Sequence, residues 1–182
     1  MKIKKPALFL DRDGVINIEK NYIYKVSDIE FMDGIFDLVR LAKKKNYLIF
    51  VITNQAGIGR GLYSEEDFFL LNNWMIEFFA SQQASIDKVY YCPYHPEFGI
   101  GGYLRESSRR KPNPGMIIDA CNDFNIDLSM SVLIGDKYSD IQAGISANVN
   151  KNILLCSSGK AKSLKEDDFS IIKNLNEAIE FL

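Results

Sequence analysis

Two acids stand one residue apart in Asp11-Arg12-Asp13-Gly14, a hydroxyl and an amide follow much later in Thr53-Asn54-Gln55, and a third acid appears in Gly135-Asp136-Lys137. Carboxylates brought together repel one another unless a cation lies among them, and carboxylate oxygens suit a hard ion such as Mg²⁺. Magnesium held by few protein ligands completes its shell with phosphate oxygens, so Asp11, Asp13 and Asp136 point to phosphoryl chemistry rather than to a closed structural site. Taken alone, "DRDG" is also ordinary turn composition. Thr53 and Asp136 weigh against that reading only if the fold carries all three segments to one place.

The chain alternates short apolar runs with helix-period stretches, which predicts an α/β fold: a Rossmann-like parallel sheet with helices on both faces. Strands are predicted at Ala7 to Leu10, Tyr47 to Ile52, Val89 to Tyr91, Ser131 to Ile134 and Asn152 to Leu155. Between the first two, Ile35, Leu38, Val39 and Ala42 share one face of a helix that leaves its lysines in water. Ser64 and Asp67 have the spacing of a capping box before a long apolar helix carrying Trp74, whose aromatics read as core. Further helices are predicted in "PNPGMIIDACNDFNI", "DIQAGISANV" and the tail "NLNEAIEFL". In open α/β sheets the ligand crevice lies beyond the carboxyl ends of the strands, and the acid, threonine and lysine segments each follow a strand there.

A chain of 182 residues, 47% hydrophobic and 25% charged, is long enough for one compact domain, so residues 1–182 are expected to form a single unit. The net charge of -2 removes the electrostatic footprint of a duplex binder, and no nucleic-acid partner is expected. The apolar run of the opening segment ends at Asp11, too short for a signal core or a membrane span, so a cytoplasmic protein without a membrane partner is expected. Cys92, Cys121 and Cys156 are scattered and odd in number, which argues for free thiols. A monomer is expected from the acidic, ordinary surface.

"DRDGVIN", "VITNQAGIGRG", "RRKPNPGM" and "GDKYSDIQAG" resemble the four motifs of the haloacid dehalogenase superfamily of aspartyl phosphatases. The glycine-rich segment after Thr53, the "YYCP" stretch and Arg110-Lys111-Pro112 resemble one branch. It holds the D-glycero-D-manno-heptose 1,7-bisphosphate 7-phosphatases and the histidinol-phosphatase domains, and the spacing is closer to the heptose enzymes. The resemblance implies Asp11 as nucleophile, Asp13 as general acid and base, and Mg²⁺ held by Asp11, Asp136 and the backbone carbonyl of Asp13. It further implies that Thr53 and Lys111 steady the phosphoryl group, and that Asp140 is either a partner behind the metal ligands or a helix cap. Substrate contacts are implied for Arg12, for the flap Glu19, Lys20, Asn21 and Tyr22, for Asn54, Gln55 and Ala56, and for Arg110 and Lys137. The implied role is removal of the 7-phosphate in the making of nucleotide-activated heptose for surface polysaccharide such as lipopolysaccharide. Gly57, Gly59 and Gly61 do not form a dinucleotide fingerprint and are read as letting the chain turn beside the site.

Zinc-bearing members of that branch carry Cys-x-His and Cys-x-Cys around this loop. The corresponding positions here are Cys92, Tyr94, Ser107 and Arg109, so zinc is not expected, and His95 falls one residue out of register. Residues 93–109 are therefore expected to form a minimal, loop-built cover that is either ordered by its own packing or mobile. Two other readings use the same residues: a histidinol-phosphate phosphatase, and a non-catalytic phospho-receiver-like module, which also joins aspartate, Mg²⁺, threonine and lysine.

Overall fold

The structure, a computed structural model, describes residues 3–156 and 168–182, so residues 1–2 and 157–167 of the expected single unit lie outside the description. Its strands are β1 (Ala7–Leu10), β2 (Leu48–Asn54), β3 (Lys88–Cys92), β4 (Val132–Gly135), β5 (Lys151–Leu155) and β6 (Ser170–Ile172). Its α-helices are α1 (Ile35–Lys44), α2 (Ala56–Gly59), α3 (Glu65–Ser81), α4 (Gly115–Asp123) and α5 (Tyr138–Ser146). The strands form one sheet in the order β3-β2-β1-β4-β5-β6, and every pairing is parallel.

Parallel strands are covered on both sides, and their side chains divide accordingly. Leu8, Leu10, Ile49, Val51 and Ile134 join Leu38 and Val39 of α1 and Met75 and Phe79 of α3 in one core cluster. Phe9, Phe50, Ile52 and Leu133 point the other way, onto Met116 and Ile117 of α4 and Ile141 of α5. Each such side chain, fully buried, contributes about 1.5–3 kcal/mol, and a one-residue slip of register would exchange the two faces. The predicted capping box is present on α3: Ser64 accepts from the Asp67 amide, and the Asp67 carboxylate accepts from the Ser64 amide.

Three expectations need correction. β2 runs on through Asn54 because its pairing with β3 continues to Asn54 opposite Cys92, so Thr53 lies inside the strand rather than after it. The tail forms a 3₁₀ helix, Leu175–Phe181, and β6 is an added edge strand of three residues, too short to carry a period. The chain winds outward from β1 through β2 to β3, then crosses to β4 on the opposite side of β1. That reversal leaves a crevice beyond the carboxyl ends of β1 and β4, where ligands of open α/β sheets bind.

Candidate active site

The crevice gathers what the sequence scatters. Register sets Leu10 opposite Ile134, and the Asp11 amide donates to the Ile134 carbonyl at 3.0 Å, so Asp11 and Asp136 leave adjacent strands side by side. Gly14 has φ 92°, and a Cβ there would lie 2.3 Å from Asp136 Oδ2. Only glycine lets the acidic loop turn this tightly against Asp136. Carboxylate oxygens of Asp11, Asp136 and Asp140 lie within 4.8 Å of one another, the one such acid cluster found among the described residues.

Lys111 enters from the loop before α4 and is 4% exposed. Its Nζ lies 2.8 Å from Asp11 Oδ1 and 2.5 Å from Asp140 Oδ1, and donates to the Ile52 carbonyl at 2.8 Å. Asn54 clamps the backbone of Lys111 from both sides, accepting from its amide and donating to its carbonyl, each at 3.1 Å. Burial pushes the Asp11 carboxyl up to about 8, Lys111 opposes the shift, and Asp140 and Asp136 add to it. Burial also raises Asp136, against the pull of Lys137, with Asp140 again adding. Lys111 loses ground to burial, but Asp11 and Asp140 outweigh that and hold it above its ordinary value. Lys137, 3.3 Å from Asp136 Oδ2 and 3.5 Å from Glu19 Oε2, behaves in the same way.

A hard cation fits this set. Asp136 Oδ1 is buried without a hydrogen-bond partner, and Asp11 and Asp136 offer oxygen donors that suit Mg²⁺. The carboxylate of Asp13 takes no part in the cluster. It accepts from Arg12 Nε and Nη2, from Asn17 Nδ2 and from Gln55 Nε2, at 2.8–3.2 Å. Gln55 Nε2 also donates to Thr53 Oγ1 at 2.8 Å, while Tyr63 donates to Gln55 Oε1 at 2.5 Å. The Thr53 oxygen is therefore an acceptor towards Gln55, and its own proton is free for an oxygen above it.

Above the acids lies a cavity in two storeys. The lower, about 70 Å³, is lined by Asp11, Asp13, Thr53, Lys111 and Asp140. The upper, about 420 Å³, is lined by Glu19, Asn21 and Tyr22 of the flap, by Asn54, Gln55 and Ala56, and by Arg110 and Lys137. Arg110 donates to the Tyr94 carbonyl at 3.2 Å, and burial and the nearby Arg60 charge work to lower it. Two expected substrate contacts are not brought here. Arg12 is 1% exposed and spends its fork on Asp13 and the Ile23 carbonyl, and Lys20 pairs with Glu30 at 3.0 Å and lines neither storey. Conversely, Asn17, Tyr63, Ser139 and the Asp140–Lys111 pair were not assigned from the sequence. Only Asp140 gave a signal there, since its spacing from Lys137 suits the cap it provides to the Lys137 amide at 3.0 Å. A larger groove of about 460 Å³ beside β3 holds its charges in pairs, Lys88 with Asp123 and Arg109 with Asp119.

The cover loop is packed by its own side chains. His95 Nδ1 accepts from the amides of Glu97 and Phe98, and burial and the charges of Arg110 and Arg60 push the ring below its ordinary value. The Arg105 guanidinium sits 3.8 Å from the centre of the Tyr94 ring, and Cys92 is fully buried at the end of β3.

A HAD-hydrolase-like family model matches residues 108–178. D-glycero-alpha-D-manno-heptose-1,7-bisphosphate 7-phosphatase of Burkholderia mallei is 52% identical over 99% of this chain and 95% of its own length. The chain belongs to the heptose-1,7-bisphosphate 7-phosphatase family. It is accordingly a HAD-type phosphoric monoester hydrolase. A family member of the other anomeric name, D-glycero-beta-D-manno-heptose-1,7-bisphosphate 7-phosphatase of Vibrio cholerae, is 45% identical over 83% of this chain and 81% of its own. The solved D,D-heptose 1,7-bisphosphate phosphatase from B. bronchiseptica, complexed with magnesium and phosphate, shares the fold with a TM-score of 0.76. It is 22% identical, over 96% of each chain. No helix among the described residues is long and apolar enough to cross a membrane.

Proposed function

We propose that this chain is a magnesium-dependent phosphatase that removes the 7-phosphate of D-glycero-α-D-manno-heptose 1,7-bisphosphate. One domain carries the chemistry, with residues 93–109 as its cover, and the product supplies nucleotide-activated heptose for surface polysaccharide. The observation that carries the reading is the two-storey cavity. Asp11, Thr53 and Lys111 meet at a floor wide enough for one phosphoryl group, and Arg110 and Lys137 line an upper chamber wide enough for a phosphorylated sugar. The α-anomer is favoured because the relative of that name matches nearly the whole chain at 52%, against 45% over 83% for the β-named one.

In this reading the Asp11 carboxylate attacks phosphorus, and the bond from phosphorus to the C7 oxygen breaks. The sugar alkoxide leaves with a proton from Asp13, and the phosphoryl group stays on Asp11 as an acyl phosphate. Asp13, now a carboxylate, takes a proton from the water that attacks the acyl phosphate, which returns Asp11 and releases inorganic phosphate. Gln55 and Arg12 aim the Asp13 carboxyl, and Lys111 and the Thr53 hydroxyl hold the phosphoryl oxygens. Asp11, Asp136 and the Asp13 carbonyl would hold Mg²⁺, whose charge offsets that of the phosphoryl oxygens. Arg110 takes the second phosphate, for which its planar fork is suited. The cover closes with no zinc.

The test is phosphate release, side by side, from both anomers of heptose 1,7-bisphosphate and from histidinol phosphate in Mg²⁺ buffer. The reading requires the highest kcat/KM on the α-anomer. A better rate on histidinol phosphate would remove the heptose assignment and leave the Asp11 chemistry standing.

A further inference from the structure

The flap at Glu19–Tyr22 lines the upper chamber, the cover loop at 93–109 lies behind it and accepts from the chamber's Arg110 through the Tyr94 carbonyl, and one side chain outside the chamber touches both segments. Arg60 follows the last turn of α2, and its Nη1 donates to the Tyr22 hydroxyl at 2.8 Å. The same guanidinium lies 5.9 Å from the centre of the Tyr22 ring and 4.7 Å from that of Phe98 in the cover loop. Left to themselves the two rings are poorly held, since Tyr22 is 42% exposed and Phe98 56% exposed. The Arg60 Nε is buried without a hydrogen-bond partner among the described residues, a desolvation cost the fold carries at this position.

The backbone on either side is built for this meeting. A Cβ on Gly57 would lie 2.9 Å from Tyr22 Cδ1, and one on Gly59 would lie 2.4 Å from the Pro93 carbonyl oxygen. The Ile100 amide donates to the Gly59 carbonyl at 2.7 Å, so the cover loop is seated directly on α2. On the flap side, Asn21 and Tyr22 hold φ of 59° and 54°, a pair of adjacent non-glycine residues in the left-handed region. Such a conformation persists only when its surroundings over-determine it. Tyr22 and Asn21 line the chamber, while Arg60 does not.

We infer that Arg60 is a positioning residue that clasps flap to cover loop and so fixes Tyr22 against the sugar, setting affinity for a large phosphorylated substrate. The inference deepens the proposed function and rests on it for the identity of the sugar. Arg60 reaches none of Asp11, Thr53 or Lys111, so chemistry at phosphorus is independent of it.

The experiment has two arms. In the first, Arg60→Ala and Arg60→Lys are assayed on the α-heptose bisphosphate and on p-nitrophenyl phosphate, which is too small to need both covers. Arg60→Ala raises KM for the heptose bisphosphate by roughly tenfold, the loss of a charged hydrogen bond and a cation–π contact, with little change in kcat or in aryl phosphate hydrolysis. Arg60→Lys recovers part of the loss by keeping the charge over Phe98. In the second arm, hydrogen exchange at residues 19–24 is followed without substrate in wild type, Arg60→Ala and Phe98→Ala. Phe98 is exposed and lies in the other segment, yet its removal quickens exchange in the flap. Equal loss on both substrates, an unchanged KM, or flap exchange indifferent to Phe98→Ala would each overturn the clasp. If wild type ignores heptose bisphosphate while Phe98→Ala still loosens the flap, the substrate assignment fails and the clasp stands.

Discussion

Lys111 and Asp140 form a buried ion pair, Nζ to Oδ1 2.5 Å, with side chains 3% and 1% exposed. The pair holds the lysine where its ammonium also meets Asp11 at 2.8 Å, so Asp140 acts on the phosphoryl floor through Lys111. Asp140→Asn keeps an oxygen to cap the Lys137 amide but removes the charge. Breaking a buried pair costs about 3–5 kcal/mol, and losing a partner behind the reacting groups lowers activity by roughly 10–100-fold. Thermal melting and kcat on the same preparation check both. A neutral effect on kcat would mean that Lys111 needs only Asp11.

The buried acids tie stability to pH and to Mg²⁺. Burial raises Asp11 from 3.8 to about 8, and Asp136 moves in the same direction. The folded chain therefore binds the proton more tightly than the unfolded chain does. The associated stability is complete below the ordinary carboxylate value and is lost as pH rises through the folded one. Metal-free protein should melt progressively lower between pH 4 and about 8. Magnesium must displace that proton, so the gain in Tm on adding Mg²⁺ should grow with pH over the upper part of this window. Asp11→Asn should abolish turnover, keep the fold and flatten both trends. Melting curves with and without Mg²⁺ at several pH values decide the matter.

Gln55 spends its whole amide inside the site, donating to Asp13 and Thr53 and accepting from Tyr63. Gln55→Leu keeps the volume and frees both catalytic groups to rotate. A buried hydrogen bond left unmade costs about 1–3 kcal/mol, which predicts a loss in kcat of roughly 10–100-fold on a sugar phosphate. The loss should be smaller on p-nitrophenyl phosphate, whose leaving group needs no proton from Asp13. An equal loss on both would assign Gln55 to packing alone.

In the proposed reading the cover loop needs no metal staple and is held by contacts of modest strength. The stacking of Arg105 on Tyr94 at 3.8 Å is worth about 0.5–2 kcal/mol. Arg105→Ala should quicken hydrogen exchange across 93–109 and leave β3 unaffected. Protein stripped with a chelator should regain full activity with Mg²⁺ alone, and metal analysis should find no stoichiometric zinc. Recovery that required zinc would contradict this account of the loop.

Much of this was legible in the sequence because periodicity and strand ends are local properties. Leu38 and Val39 announce the face of α1, and Asp11 and Asp136 sit at the ends of apolar runs that could only be buried strands. What escaped is relational. Arg12 and Lys20 lie beside functional neighbours in the chain, yet the fold turns Arg12 onto Asp13 and Lys20 onto Glu30. Tyr63 and Arg60 look like ordinary loop residues until Gln55, Tyr22 and Phe98 arrive from elsewhere. Asp140 carried a capping signal, and nothing in its spacing announced Lys111. The anomer is not legible in any single residue.

The most direct measurement follows the α-heptose 1,7-bisphosphate by phosphorus NMR as wild-type enzyme and Mg²⁺ are added, with Asp11→Asn alongside. The account predicts that the primary C7 phosphate signal disappears as inorganic phosphate grows, that the anomeric phosphate persists, and that Asp11→Asn leaves the spectrum unchanged. Loss of the anomeric phosphate, or turnover that survives Asp11→Asn, would contradict it.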